Sequence, residues 1–368
     1  MLFLRSAPPI GSRSHSLDGV SVADFTDVPI VDLSPLRGGP QARAELAEGL
    51  ATICHEVGFF VVVNHGIDKA VVDGVFDSMR QFFALPEADK LHIDKRSSRH
   101  FRGWEPVGAE STNNRPDMRE QIDVWSEWPA RPTDVEPRYL RLLGPNQWLP
   151  DDVAPDQKTI VLDWMEQLGA LADDLLRVLA LGLGLDEQHF KHYFGNDPMS
   201  LTKLISYPRT PDGHAGVNAH HDTGFLTILA AGTTPGLQVE SPSGEWIDVP
   251  IVPNSFVVNL GEILQAMTGN YFVATPHRVI TNEARLSAGY FHGPSLDARL
   301  DPLPLDARFL DAVAASPRHA SAGFMAGRDD TEAGVGDMQG DLEANTYGQQ
   351  LWNYFERSYP ELMAHHYD

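Results

Sequence analysis

The chain has 368 residues, 42% hydrophobic and 21% charged, an ordinary globular composition long enough to bury a core without disulfides or structural metals. Its net charge of -23 makes a polyanionic nucleic acid an unfavourable partner, and an acidic ligand needs a local cation to hold it. The single cysteine, Cys54, excludes an internal disulfide and fits a reducing compartment.

Residues 1–27, rich in Ser, Pro and Gly without a sustained period, read as a loose arm. The opening Met-Leu-Phe-Leu is too short for a signal segment, and no run reaches the roughly 18 apolar residues of a membrane span, so a soluble, cytoplasmic protein is expected. Residues 28–33 predict a short strand. Helical spacing follows over 41–57, closed by Gly58 and carrying Cys54 as a packed thiol. The apolar run 59–63 predicts a buried strand, 71–85 a helix, and Pro86 the start of a short helical stretch. Residues 96–155 have little periodicity and many Pro, Arg, Asp and Trp, the texture of binding loops. The strongest helix is predicted over 159–185, ending at Gly182 and Gly184. Short strands follow at 201–207, 226–231, 237–240, 246–249, 256–260, 277–281 and 286–292, a pattern of sandwiches and barrels. Residues 317–345 predict a mobile loop, and a last amphipathic helix is expected from about 348 to 366.

Three His-x-acid triplets occur, His92-Ile-Asp94, His220-His-Asp222 and His366-Tyr-Asp368, where chance alone gives about two. Only the middle one abuts an expected strand, 225–229, on which residues two apart would share a face. His220 and Asp222 are therefore candidates to grip one ion, with His221 turned away. His277, opening another β-rich run, supplies a third ligand. Two histidines and one carboxylate that leave open positions form the facial triad of non-haem iron(II) oxygenases. Arg285-Leu-Ser287 lies one strand further on, and its arginine and serine share a face suited to a carboxylate.

With Gly236-Leu-Gln-Val, Trp246-Ile-Asp-Val-Pro, Val257-Val-Asn-Leu-Gly-Glu, Pro276-His-Arg-Val and Gly58-Phe-Phe-Val-Val-Val-Asn-His-Gly-Ile, these motifs resemble the isopenicillin N synthase-like branch of the 2-oxoglutarate/iron(II)-dependent dioxygenases over roughly residues 28–300. The resemblance implies a mainly β fold with flanking helices, built on a distorted double-stranded β-helix (jelly roll) with a helical N-terminal part. It divides the chain into an arm (1–27), an N-terminal oxygenase region (28–195), a jelly-roll region (196–305) and a C-terminal loop and helix (306–368). It implies His220, Asp222 and His277 as Fe(II) ligands, Arg285 and Ser287 as holders of the distal carboxylate of 2-oxoglutarate, and Tyr207 as a further contact. Ile205 stands where plant members often carry Asn. No catalytic residue beyond the metal centre is implied.

The activity expected is oxidation of a C–H bond by O2, with 2-oxoglutarate decarboxylated to succinate. The substrate would be a small molecule, a specialised metabolite or amino-acid derivative. Three other readings compete: an isopenicillin N synthase-type oxidase with the substrate's own carboxylate on Arg285, a non-catalytic metal-binding protein of the same fold, and a zinc hydrolase. The last lacks a general-base motif such as H-E-x-x-H. His65 is read as supporting a turn, while Arg102, Trp104, Phe291 and His292 are weaker candidates for the pocket wall. The sequence leaves the oligomeric state open, a monomer being compatible with it.

Overall fold

A computed structural model describes residues 15–17, 20–22, 24–112, 115–210, 214–316, 319 and 346–367. A hairpin of β1 (His15–Leu17) and β2 (Val20–Val22) leads to β3 (Ile30–Asp32), α1 (Pro40–Glu56) and β4 (Phe59–Val63). Gly58 joins α1 to β4 at φ +70°, where a Cβ would lie 2.0 Å from the Val273 carbonyl oxygen, so the turn requires glycine. α2 (Lys69–Phe83), capped by the Asp68 carboxylate on the Ala70 amide, and α3 (Glu87–Lys90) follow. Then come β5 (Gly103–Glu105), the hairpin β6 (Ser111–Thr112) and β7 (Arg115–Pro116), and β8 (Glu120–Trp125). The long helix α4 (Gln157–Gly182) buries Val161, Trp164, Leu168, Leu171, Leu175 and Leu179, a single stripe at steps of three and four. The remaining strands are β9 (Leu201–Tyr207), β10 (Val217–His220), β11 (Leu226–Ala230), β12 (Leu237–Glu240), β13 (Trp246–Asp248), β14 (Phe256–Leu260), β15 (His277–Val279) and β16 (Arg285–His292). Helices α5 (Glu262–Met267), α6 (Ala307–Ala315), α7 (Tyr347–Ser358) and α8 (Pro360–Tyr367) complete the described chain.

An eight-stranded sheet runs β3-β4-β14-β11-β16-β9-β8-β5, and a four-stranded sheet runs β10-β15-β12-β13. Every pairing within them is antiparallel except β3 with β4. Together they form the double-stranded β-helix. Alternation along the large sheet sorts its side chains. Phe60, Val62, Leu204, Leu226, Ile228, Val258 and Ala288 pack with the helices. Phe59, Val61, Ile205, Tyr207 and Val257 pack against Val217, Leu237, Val239 and Val279 of the small sheet. The run 59–63 is apolar throughout because both of its faces are covered.

Most expected elements stand within a few residues of their positions in the sequence reading, and Cys54 is fully buried as expected. Three differences bear on the site. Residues 120–125, read as irregular, form an inner strand of the large sheet whose pattern is inverted: Ile122 and Val124 face the helices, while Gln121 and Asp123 face the interior. His220 ends a separate strand, β10, and Asp222 sits in the loop after it rather than on the 225–229 strand. The expected 348–366 helix is two helices, divided at Tyr359 before Pro360, whose ring cannot continue the hydrogen-bond ladder. The loop expected at 317–345 and most of the arm at 1–27 lie outside the described residues.

Candidate metal centre

His220 and His277 are a directly opposed pair on β10 and β15, with ring centroids 4.3 Å apart. The Nε2 atoms of both lie 3.7 Å from Asp222 Oδ1. One ligand atom from each of the three residues falls within 4.8 Å of the others, close enough to share an ion. Each imidazole is oriented from behind: Nδ1 of His220 contacts the Asn218 carbonyl at 2.9 Å, and Nδ1 of His277 contacts the Thr275 carbonyl at 3.2 Å. A carbonyl only accepts, so the proton stays on Nδ1 and the Nε2 lone pair points to the shared space. Burial, and next the neighbouring His277, pull the pKa of His220 down to about 4, keeping it neutral near pH 7. Burial opposes ionisation of Asp222, but His277, His220 and the bonds from Asn259 and Thr227 hold its pKa below the ordinary value.

Asp222 is set by its surroundings. Thr227 Oγ1 and Asn259 Nδ2 donate to Oδ2 at 2.6 and 2.7 Å, leaving Oδ1 facing the histidines. The Glu262 amide donates 2.8 Å to the Asp222 carbonyl. Gly261 and Gly224 meet so closely that a Cβ on Gly261 would lie 2.0 Å from the Gly224 carbonyl oxygen. Thr227 and Asn259 were not singled out in the sequence. Their signal is a polar side chain at an inward position of an otherwise apolar strand.

On the same inner face, Arg285 stands opposite Tyr207 and Ser287 opposite Ile205. Arg285 is 2% exposed, and its guanidinium lies 5.1 Å from the Tyr207 ring centre. Its Nε donates to the Thr234 carbonyl, but both terminal nitrogens and Ser287 Oγ are buried without a hydrogen-bond partner. No carboxylate pairs with Arg285 among the described residues, and burial lowers its pKa. A buried unpaired guanidinium is costly, and a two-pronged donor beside a hydroxyl matches a carboxylate. The donor set therefore fits both an iron(II) ion and an anionic co-substrate.

The weaker candidates separate. Arg102 is enclosed by the carbonyls of His100, Leu142 and Ser126, and Trp104 donates to Glu120, so neither joins the site. His292 faces the helices, stacked 4.1 Å from Phe194 and 3.2 Å from Asp173. Phe291 shares the face of Arg285 and Ser287. His65 accepts from the Ile67 amide in a turn, as expected. His221 points toward the Glu262 carboxylate, 3.8 Å away. Of the other triplets, Asp94 pairs with Arg96, and His366 bonds the Arg96 carbonyl.

A model described as "non-haem dioxygenase in morphine synthesis N-terminal" matches residues 28–151, and one described as "2OG-Fe(II) oxygenase superfamily" matches 193–294. The 2-oxoglutarate-dependent dioxygenase frbJ of Dothideomycetidae sp. (strain 11243) is 31% identical, over 92% of this chain and 94% of that protein. Homoarginine-6-hydroxylase 2-ODD-C23.1 of Arabidopsis thaliana is 30% identical, over 77% and 89%. A full-length Neurospora crassa protein solved in complex with alpha-KG shares the fold, with TM-score 0.66 and 24% identity over 80% of this chain and 92% of that one. JOX2 in complex with 2OG, Fe and JA has TM-score 0.61 and 26% identity, over 76% and 78%.

Proposed function

This chain belongs to the 2OG-Fe(II) oxygenase superfamily, and on that basis we propose that His220, Asp222 and His277 hold its iron while Arg285, Ser287 and Tyr207 hold 2-oxoglutarate. It is a 2-oxoglutarate/Fe(II)-dependent dioxygenase acting on a small molecule. The bound metal and co-substrate supply oxidation of a C–H bond by O2, coupled to decarboxylation of 2-oxoglutarate to succinate and CO2. The protein's own residues orient and exclude. Asn218 and Thr275 carbonyls fix the two imidazoles, Thr227 and Asn259 aim Asp222 Oδ1, and the apolar residues between the sheets keep water from the centre.

The observation that carries the co-substrate assignment is the pair of unpartnered terminal nitrogens on buried Arg285, beside the unpartnered hydroxyl of Ser287. Kinship with 2-oxoglutarate-dependent dioxygenases favours this use of Arg285 over holding a substrate's own carboxylate. In the same reading, residues 196–305 carry iron and 2-oxoglutarate, and 28–195 supply the supporting helices and part of the pocket. The substrate would be a specialised metabolite or amino-acid derivative, in line with relatives named as homoarginine hydroxylases. No helix among the described residues is long and apolar enough to cross a membrane. We also propose that the enzyme works in the cytoplasm.

The test is anaerobic titration of 2-oxoglutarate into the Fe(II)-loaded protein, read by calorimetry and by the weak visible charge-transfer band. We expect saturable binding with the band. Arg285→Gln should weaken binding at least about 30-fold, since breaking a buried charge pair costs about 2–5 kcal/mol. Absence of both heat and band overturns the reading.

A further inference from the structure

Beyond Arg285 and Ser287 the inner face of the large sheet becomes charged. Pairing sets Ser287, Ile205, Gln121 and Glu105 side by side across β16, β9, β8 and β5, and in the next row Gly289, Lys203, Asp123 and Gly103. Two strand spacings, about 10 Å, separate Ser287 from Gln121, a span within reach of one small molecule. Lys95 Nζ lies 2.8 Å from Glu105 and 2.7 Å from Asp123. Lys203 Nζ lies 3.1 Å from Glu110 and 3.3 Å from Asp123, and Arg119 lies 2.8 Å from Glu110 and 3.1 Å from Asp117. Asp117, paired with Arg119, accepts from the Asn218 amide and side chain, and Asn218 offers its carbonyl to His220, so the cluster adjoins the metal centre. Lys95, Lys203 and Arg119 face four carboxylates, Glu105, Glu110, Asp117 and Asp123, so acid outweighs base by one.

An acceptor in this wall lacks a donor. Gln121, 1% exposed, turns its amide nitrogen to Glu105 at 3.0 Å, Glu110 at 2.7 Å and Asp123 at 3.2 Å. Ionised carboxylates only accept, which fixes the amide and leaves Gln121 Oε1 buried without a partner. Glu105 accepts from Lys95 and Gln121 at Oε2. Burial raises the pKa of Glu105, and although Lys95 opposes this, Glu110 and Asp123 add to it.

We propose that this wall binds the primary substrate, and that the substrate is a small molecule carrying a protonated amine or guanidinium whose N–H groups meet Gln121 Oε1 and Glu105. The proposal rests on the iron/2-oxoglutarate reading above. A cation evens the charge of the cluster, supplies a donor to the open Gln121 Oε1, and is drawn in by a protein of net charge -23. A neutral donor does only the second of these, and an anion does none of them. A purely structural clamp between residues 95–123 and the sheet requires no orphaned acceptor.

The test is anaerobic calorimetry on the full chain loaded with Fe(II) and 2-oxoglutarate, with n-butylguanidine and agmatine as cationic probes and n-butylurea as the neutral counterpart. n-Butylguanidine should bind at least about ten-fold more tightly than n-butylurea, with agmatine also binding. Gln121→Leu and Glu105→Gln should each erase most of that preference while leaving 2-oxoglutarate affinity unchanged. Equal affinity for n-butylguanidine and n-butylurea, no binding of any probe, or a preference that survives both substitutions overturns the proposal. Should Gln121→Leu fail to fold, the near-isosteric Glu105→Gln alone decides. Failure of the unsubstituted protein to bind 2-oxoglutarate overturns instead the reading of Arg285 and Ser287.

Discussion

At the scale of single residues, buried polar groups here are fixed by what their neighbours can accept. His100 Nδ1 contacts the Arg141 carbonyl at 3.0 Å and must donate, while Nε2 accepts from Arg99 Nε at 3.2 Å. Protonating Nε2 would break the second bond and add a cation beside buried Arg102. Burial, and then Arg102, lower the pKa of His100 from 6.5 to about 4. Between those values the unfolded chain binds a proton that the folded chain refuses, so stability falls as pH drops through this window and is level above it. The loss should approach about 3 kcal/mol at its lower end. Urea unfolding of His100→Asn at pH 7 and pH 4.5 should show a smaller fall than the parent. An equal fall would assign the pH dependence to other groups.

At the scale of elements, the hairpin segment before β8 buttresses β10. Asp117 Oδ1 accepts from the Asn218 amide at 3.2 Å and its side chain at 3.0 Å, while Oδ2 accepts from Thr112 at 2.7 Å. Asn218 in turn offers its carbonyl to His220. Asp117→Ala should weaken Co(II) binding, read by its visible spectrum, by about ten-fold, as loss of an outer partner to a metal ligand does. An unchanged titration would mean that β10 holds its shape unaided. The proposed metal ligands are legible because several motifs fall in order along the chain. Their local geometry is not: His220 and Asp222 come within reach of one ion because a loop turns Asp222 back, not because a strand aligns them. β8 was missed for a related reason. Alternation reveals period but not which face is wet, and here Gln121 and Asp123 turn inward. Of the supports, Asn259 lies in a motif already noted and Thr227 on an expected strand, but their target, one oxygen of Asp222, exists only in three dimensions.

At the scale of the whole molecule, Lys95 joins distant parts of the chain, contacting Glu105, Asp123 and the Tyr359 hydroxyl at 3.0 Å. Lys95→Met strands two buried carboxylates and should cost about 3–5 kcal/mol in denaturant unfolding. A cost below about 1 kcal/mol would mean that the carboxylates relieve themselves by taking up protons. A second long-range dependence concerns order in time. β16 is the last strand among the described residues, yet it lies between β11 and β9, opposite Leu226–Ala230 on one side and Leu201–Tyr207 on the other. Until residues 285–292 have left the ribosome, the large sheet is two unjoined halves, β3-β4-β14-β11 and β9-β8-β5. The proposed anchor for 2-oxoglutarate, Arg285 and Ser287, rides on the strand that closes the gap, so on that reading a nascent chain acquires its co-substrate site in the step that completes its architecture.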